Sequence, residues 1–227
     1  MSAASDILDA VRAALKRPPL PKEQERELEG RMETPPRNPL PGRANLAHRQ
    51  QVDLFIAEAE RVNATVARVE DLAGAAAAVA SYLADNGLPG VLRVTTSPAL
   101  GKIPWSERAA LKVAEGKAEP SDPVGVSSAF AGVAETGTLV VASGPDNPTS
   151  LCFLPDTHIV VVAASAIVGT YEETWRLLPG QGGGGDFMPR NVIWITGPSR
   201  TADIEQTILL GAHGPRRLLI VLVDKAG

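Results

Sequence analysis

The sequence predicts an α/β fold with a largely parallel sheet covered by helices. Short apolar runs recur at Val91 to Thr95, Thr138 to Ala142, His158 to Ala163, Val192 to Thr196 and Leu218 to Val223, and segments of helical periodicity separate several of them. Those runs are too short and too rich in β-branched residues for helices, and their near-continuous apolarity suits strands buried on both faces. The 227 residues suffice for one substantial domain, which at this size buries about 70 to 75 % of its unfolded surface.

The elements follow in order. Ser5 to Lys16 sets Ile7, Leu8, Val11 and Leu15 at helical spacing with Ser5 as N-cap, an amphipathic helix whose stripe needs a partner. Arg17 to Arg43 carries Pro18, Pro19, Pro21, Pro35, Pro36, Pro39 and Pro41 among many charges and reads as an extended arm, able to wrap a neighbouring subunit or to stay mobile. Residues 1–44 are therefore expected to form an N-terminal helix and proline-rich arm, and residues 45–227 the α/β domain. A helix is expected from Asn45 through Asn63, with Leu46, Val52, Phe55, Ile56 and Ala59 inward. A strand near Thr65 to Val69 follows, then a helix from Leu72 to Asn86 that is rich in alanine and stopped by Gly87, and the strand at Val91: a βαβ unit. Further helices are expected at Tyr171 to Leu178, with Thr170 and Glu173 as a capping box, and at Thr201 to Leu210. Gln181 to Asp186 is glycine-rich but lacks the following Gly-Lys-Ser/Thr of a phosphate loop, and reads as a connector.

Composition narrows the function. With 44 % hydrophobic and 21 % charged residues, the chain is of ordinary globular composition. A net charge of −4 offers no broad basic field, which argues against nucleic acid as partner. No apolar run reaches the roughly 20 residues of a membrane span, and the first residues lack the pattern of a signal peptide, so a cytoplasmic location is expected. The single cysteine, Cys152, excludes an intrachain disulfide and a cluster held by about four thiolates of this chain. Three histidines without H-x-x-x-H spacing make a metal site unexpected.

Two polar loops could carry chemistry. In Gly132 to Thr138, Glu135 stands among small residues, and Gly137 permits a positive φ or a close approach to a ligand. Glu135 could act as nucleophile or general base, or be a solvated turn residue, and Thr136 and Gly137 would line the same ligand site. In Gly197 to Glu205, Gly197, Ser199, Arg200 and Thr201 open the expected helix and could bind a carboxylate or phosphate through amides, hydroxyls and the guanidinium; Ser199 or Thr201 could equally be a plain cap. His213, in Gly211 to Pro215, can exchange a proton near neutral pH. A helix from Thr201 to Leu210 of roughly 15 Å would carry the chain to the other edge of the sheet and separate His213 from Arg200. His158 meets the same objection, and for both histidines a structural hydrogen bond is the alternative reading. Glu135 would lie at the Arg200 edge if Thr138 to Ala142 runs antiparallel to Val192 to Thr196, and nearer His213 if it runs parallel.

Four ordered motifs carry a resemblance: Ala134-Glu-Thr-Gly-Thr-Leu-Val-Val141, Leu154-Pro-Asp-Thr-His-Ile-Val-Val-Val162, Gly197-Pro-Ser-Arg-Thr-Ala-Asp-Ile-Glu205 and Gly211-Ala-His-Gly-Pro215. From about Asn45 to Val223 the chain resembles the LUD-domain family, of the lactate utilization protein C type. The resemblance implies a three-layer αβα sandwich similar to the sugar-phosphate isomerase and CoA-transferase (NagB/RpiA-like) superfamily. It further implies an accessory, cluster-free subunit of an L-lactate utilization system, in which L-lactate is oxidised to pyruvate with iron–sulfur partner subunits that hold the clusters. Arg200 and the amides after Gly197 would take a small carboxylate ligand, Glu135 and His213 being the candidate catalytic groups. Two other functions stay open: an acyl- or CoA-transferase-like enzyme or hydrolase using Glu135, and a non-catalytic assembly or regulatory module. Homo-oligomerisation is open as well.

Overall fold

The computed structural model describes residues 3–16, 18–33, 39–179, 188–202, 208–211 and 213–225. The chain divides into two compact units, Met1–Pro39 and Leu40–Gly227. The first contains α1 (Ala3–Ala14) and α2 (Lys22–Glu33). The second helix corrects the expectation of an extended arm. Its sequence, Lys-Glu-Gln-Glu-Arg-Glu-Leu-Glu-Gly-Arg-Met-Glu, lies between prolines rather than across them and has acidic residues in its first turn and Arg31 in its last, which suits the helix dipole. Pro35 and Pro36 lie outside the described residues.

In the larger unit the described elements run α3 (His48–Arg61), β1 (Thr65–Asp71), α4 (Leu72–Asp85), β2 (Val91–Val94), α5 (Pro98–Gly101), β3 (Lys112–Glu115), β4 (Val124–Ser128), β5 (Ala131–Val133), β6 (Thr138–Ala142), β7 (Thr157–Ala163), β8 (Ile167–Val168), α6 (Tyr171–Leu177), β9 (Val192–Ile195), β10 (Arg200–Ala202), β11 (Ile208–Leu210) and β12 (Arg217–Lys225). A six-stranded sheet in the order β1-β12-β7-β4-β2-β3 is parallel throughout, so the α/β class with a mostly parallel central sheet holds. The βαβ unit is a wide crossover, since β12, β7 and β4 lie between β1 and β2.

Alternation along the central strands builds two cores. Ile159 and Val161 of β7, with Leu219, Val221 and Val223 of β12, pack with Ala75, Ala76, Val79 and Leu83 of α4 on one face. Val160, Val162, Leu218, Ile220 and Leu222 point to the other, where Val52, Phe55 and Ala59 of α3 meet Leu139 and Ile167. Helix α4 starts where the Asp71 carboxylate accepts the Gly74 amide at 3.0 Å and stops at Gly87, whose φ of +61° suits a left-handed end.

The layer beyond that second face holds more than helix. A four-stranded sheet, β8-β5-β6-β9, lies there beside α3, with β5–β6 and β6–β9 antiparallel. The runs Thr138 to Ala142 and Val192 to Thr196 thus belong to a second sheet, not to the parallel one. Strands β3, β4 and β5 carry weak sequence signals: Lys112–Glu115 is an exposed edge and Val124–Ser128 is full of small residues. The largest correction concerns the helix expected over Thr201 to Leu210. Its ends form an antiparallel pair, β10 with β11, in which Arg200 faces Leu210 and Ala202 faces Ile208. The acidic residues in the middle of that segment and the glycine-rich Gln181 to Asp186 connector lie outside the described residues.

Candidate functional site

The β10–β11 pair decides where the candidate residues meet. Because the chain turns back on itself, Ser199 is bonded twice to the stretch between β11 and β12: its amide donates to the Pro215 carbonyl at 2.8 Å, and its carbonyl accepts the Gly211 amide at 3.0 Å. Arg200 and His213, expected on opposite edges, consequently line one cleft of about 390 Å³, with Thr196, Gly197 and Ser199 on its β9 side. The far wall comes from Cys152, Phe153, His158 and Leu218, so the cleft opens at the amino ends of β7 and β12. Arg200 and His213 are exposed, and Gly197 is buried. The side chain of Thr201 is not among those described.

The far wall is structural in character. His158 is buried, and its Nε2 lies 2.8 Å from the Ser127 hydroxyl. Burial pushes its pKa down to about 3, so the ring is neutral at physiological pH. Burial also pushes the Cys152 thiol up to about 12, which leaves it a poor nucleophile. The Asp156 carbonyl accepts amides of Arg216 at 2.8 Å and Arg217 at 3.2 Å, fastening the segment before β7 to the one before β12.

Glu135 is at the Arg200 end of the small sheet, as antiparallel pairing of β6 with β9 requires. It does not line the cleft. Its side chain is 6 % exposed, one carboxylate oxygen accepts the Tyr171 amide at 3.3 Å, and its own amide donates to the Gly169 carbonyl at 3.2 Å. Beside it the capping box is formed as the sequence suggests: the Thr170 hydroxyl accepts the Glu173 amide, and the Glu173 carboxylate accepts the amides of Gly169 at 2.6 Å and Thr170 at 3.2 Å. Gly137 has the positive φ anticipated, +65°, yet the close approach is to helix α3: a Cβ there would collide with the backbone of Glu58 and Ala59. Gly197, at φ +74°, is similar, its neighbour being the Val62 carbonyl.

Between Glu135 and the cleft lies a hydroxyl cluster that motif reading overlooked. Thr136, Thr138 and the Tyr171 phenol form a triangle with O···O distances of 2.7, 3.0 and 2.9 Å, and Thr138 continues to Thr196 at 2.8 Å. The signal was present: Thr136 and Thr138 are two apart around a turn, and Thr196 ends an apolar run, so the cross-strand pair follows from the register Leu139 with Ile195. Behind it the rings of Tyr171, Trp194 and Trp175 pack in succession, with centroids 5.1 and 5.3 Å apart. The cleft thus offers a cation, an imidazole and the hydroxyl-bearing residues Thr196 and Ser199, a set suited to a small carboxylate.

The chain is similar to several known proteins. Lactate utilization protein C of Bacillus subtilis is 36 % identical over 108 residues, 48 % of this chain and 45 % of that protein. Lactate utilization protein C of Bacillus licheniformis is 34 % identical over 101 residues, 44 % of this chain and 42 % of that protein. An uncharacterized protein of Neisseria meningitidis serogroup B is 40 % identical over 99 residues, 44 % of this chain and 41 % of that protein. The chain spans less than half the length of these curated relatives. The crystal structure of a DUF162 family protein from Deinococcus radiodurans shares the fold with a TM-score of 0.59 at 22 % identity, covering 79 % of this chain and 99 % of that one. The model of the LUD domain matches residues 52–223, and the chain belongs to the LUD domain family.

Proposed function

We propose that this chain serves lactate utilization as a subunit that binds L-lactate, or a close 2-hydroxy acid, in the cleft between Thr196–Arg200 and His213, while its oxidation to pyruvate is completed with iron–sulfur partners. The observation that carries the reading is the convergence of Arg200 and His213 on one cleft, in a chain whose relatives bear the name lactate utilization protein C. Arg200 takes the carboxylate through its planar fork, and His213 stands ready to accept the proton that leaves the hydroxyl. Glu135, turned toward the Tyr171 amide, positions the loop and does not meet the ligand.

The residues of the chain do not fit an iron–sulfur cluster. It has one cysteine, buried and with its thiol pKa pushed up to about 12, against the roughly four thiolates a cluster takes. Oxidation breaks the O–H and C2–H bonds of lactate, so with His213 receiving the hydroxyl proton, the C2 hydrogen and the two electrons would be taken up by redox groups of partner subunits, iron–sulfur clusters among them. No helix among the described residues is long and apolar enough to cross a membrane, and a cytoplasmic setting belongs to the same reading. The test is paired. Calorimetric titration of the purified chain with L-lactate is expected to give saturable binding, and deletion of its coding sequence is expected to abolish growth on L-lactate. Normal growth of the deletion strain would sink the reading.

A further inference from the structure

We infer that Thr196 is a specificity-determining residue that presents only hydrogen-bond acceptor capacity to the cleft, so that the site selects 2-hydroxy acids over the corresponding 2-oxo acids. The inference deepens the proposed lactate reading and rests on it. It comes from counting protons. Each hydroxyl has one O–H to give and lone pairs to accept with. Four hydroxyls, those of Thr136, Thr138, Tyr171 and Thr196, share four contacts between 2.7 and 3.0 Å. Four contacts need four protons, and the four groups supply four. Thr196 takes part in one of these contacts only, the one with Thr138, so its proton must be spent there.

A proton in every one of the four contacts sets the direction of the Thr138–Thr196 bond. Thr136, Thr138 and Tyr171 pass their protons around the triangle, and Thr196 donates to the remaining lone pair of Thr138. Thr196 lines the cleft, and with its proton spent on Thr138 its hydroxyl has only lone pairs left to offer there. Thr138 is fully buried and Thr136 and Tyr171 are half-buried, while Thr196 is exposed and lines the cleft, so the network is anchored inside and ends at the ligand. With a carboxylate on Arg200, the group at the adjacent carbon meets an acceptor. A C2 hydroxyl satisfies it by donating. A C2 carbonyl sets oxygen against oxygen, and Thr196 could donate to it only if one of the four part-buried contacts went without a proton.

Titration of the full chain with L-lactate, pyruvate and propionate tests this. L-Lactate is expected to bind about two- to tenfold more tightly than pyruvate, the range of one uncharged hydrogen bond. Thr196→Val should erase that preference, and Thr196→Ser should restore it. Thr138→Val carries the readout that mere loss of structure would not give: with its acceptor gone, Thr196 is free to donate, and pyruvate should gain affinity relative to lactate. Equal binding of lactate and pyruvate by the parent chain, or a preference that survives Thr196→Val, overturns the acceptor rule and leaves the lactate reading standing. If none of the three acids binds, the lactate reading itself fails, and the acceptor rule falls with it.

Discussion

The loops around Glu135 and Arg200 share a design and differ in where their polar groups find partners. Each adjoins an antiparallel strand of the small sheet, and each has a glycine of positive φ pressed against the end of α3, Gly137 on Ala59 and Gly197 on Val62. In the first loop the polar atoms turn inward: the Glu135 carboxylate meets an amide of α6, and Thr136 and Thr138 meet Tyr171. In the second the backbone is satisfied by Gly211 and Pro215, which leaves Thr196, Arg200 and His213 facing the cleft. A polar loop beside a strand is thus a scaffold or a site according to how its main chain is satisfied.

The sharpest way to break this contrast is at the glycines. Gly137→Ala forces a side chain into a left-handed conformation and against the backbone of α3, and is expected to destabilise by about 2 to 4 kcal/mol in urea denaturation. A loss below about 1 kcal/mol would mean that α3 yields and that the loop is not pinned there.

His158 sharpens it next, because it lines the cleft while belonging to the inward class. Its folded pKa, about 3, lies below the ordinary value of 6.5, so the unfolded chain binds the proton first. The stability it supports is present above pH 6.5 and is lost as pH falls toward 3, at about 1.4 kcal/mol per pH unit. Between pH 7 and 5 that is about 2 kcal/mol, and His158→Gln should flatten this part of the acid limb. An unchanged slope in the variant would show that the ring is not held neutral.

Arg200→Ala probes the outward class. It is expected to weaken L-lactate binding by tenfold or more, about 1.4 kcal/mol, with stability changed by less than about 0.5 kcal/mol. A large fall in melting temperature instead would make Arg200 part of the scaffold. The smallest effect is reserved for Glu135→Gln: about 1 kcal/mol or less in stability and no change in ligand affinity, measured by the same titration. A lost affinity there would move Glu135 into the site.

Much of the fold was legible because periodicity reports burial directly. The runs at His158 to Ala163 and Leu218 to Val223 are buried on both faces, as their unbroken apolarity implies. The capping box at Thr170 and the stop at Gly87 were equally readable, being local chemistry. What escaped was set by distant partners. Thr201 to Leu210 has helical spacing, yet its described ends pair across strands, and that pairing depends on Gly211 and Ser199 meeting in space. The same segment controlled the separation assigned to Arg200 and His213, so one misread element misplaced the pair. The assignment of β6 and β9 to a second sheet was hidden for a like reason, since parallel and antiparallel neighbours share one apolar pattern. Thr138, Tyr171 and Thr196 form no motif, because their relation exists only once β6, β9 and α6 are side by side.

The double tether of Ser199, to Pro215 on one side and Gly211 on the other, bears on the thermodynamics of capture. On the proposed reading the main chain of Ser199 is already tethered when a ligand arrives, and the Arg200 and His213 side chains each carry an ordering cost of about 0.5 to 1.5 kcal/mol.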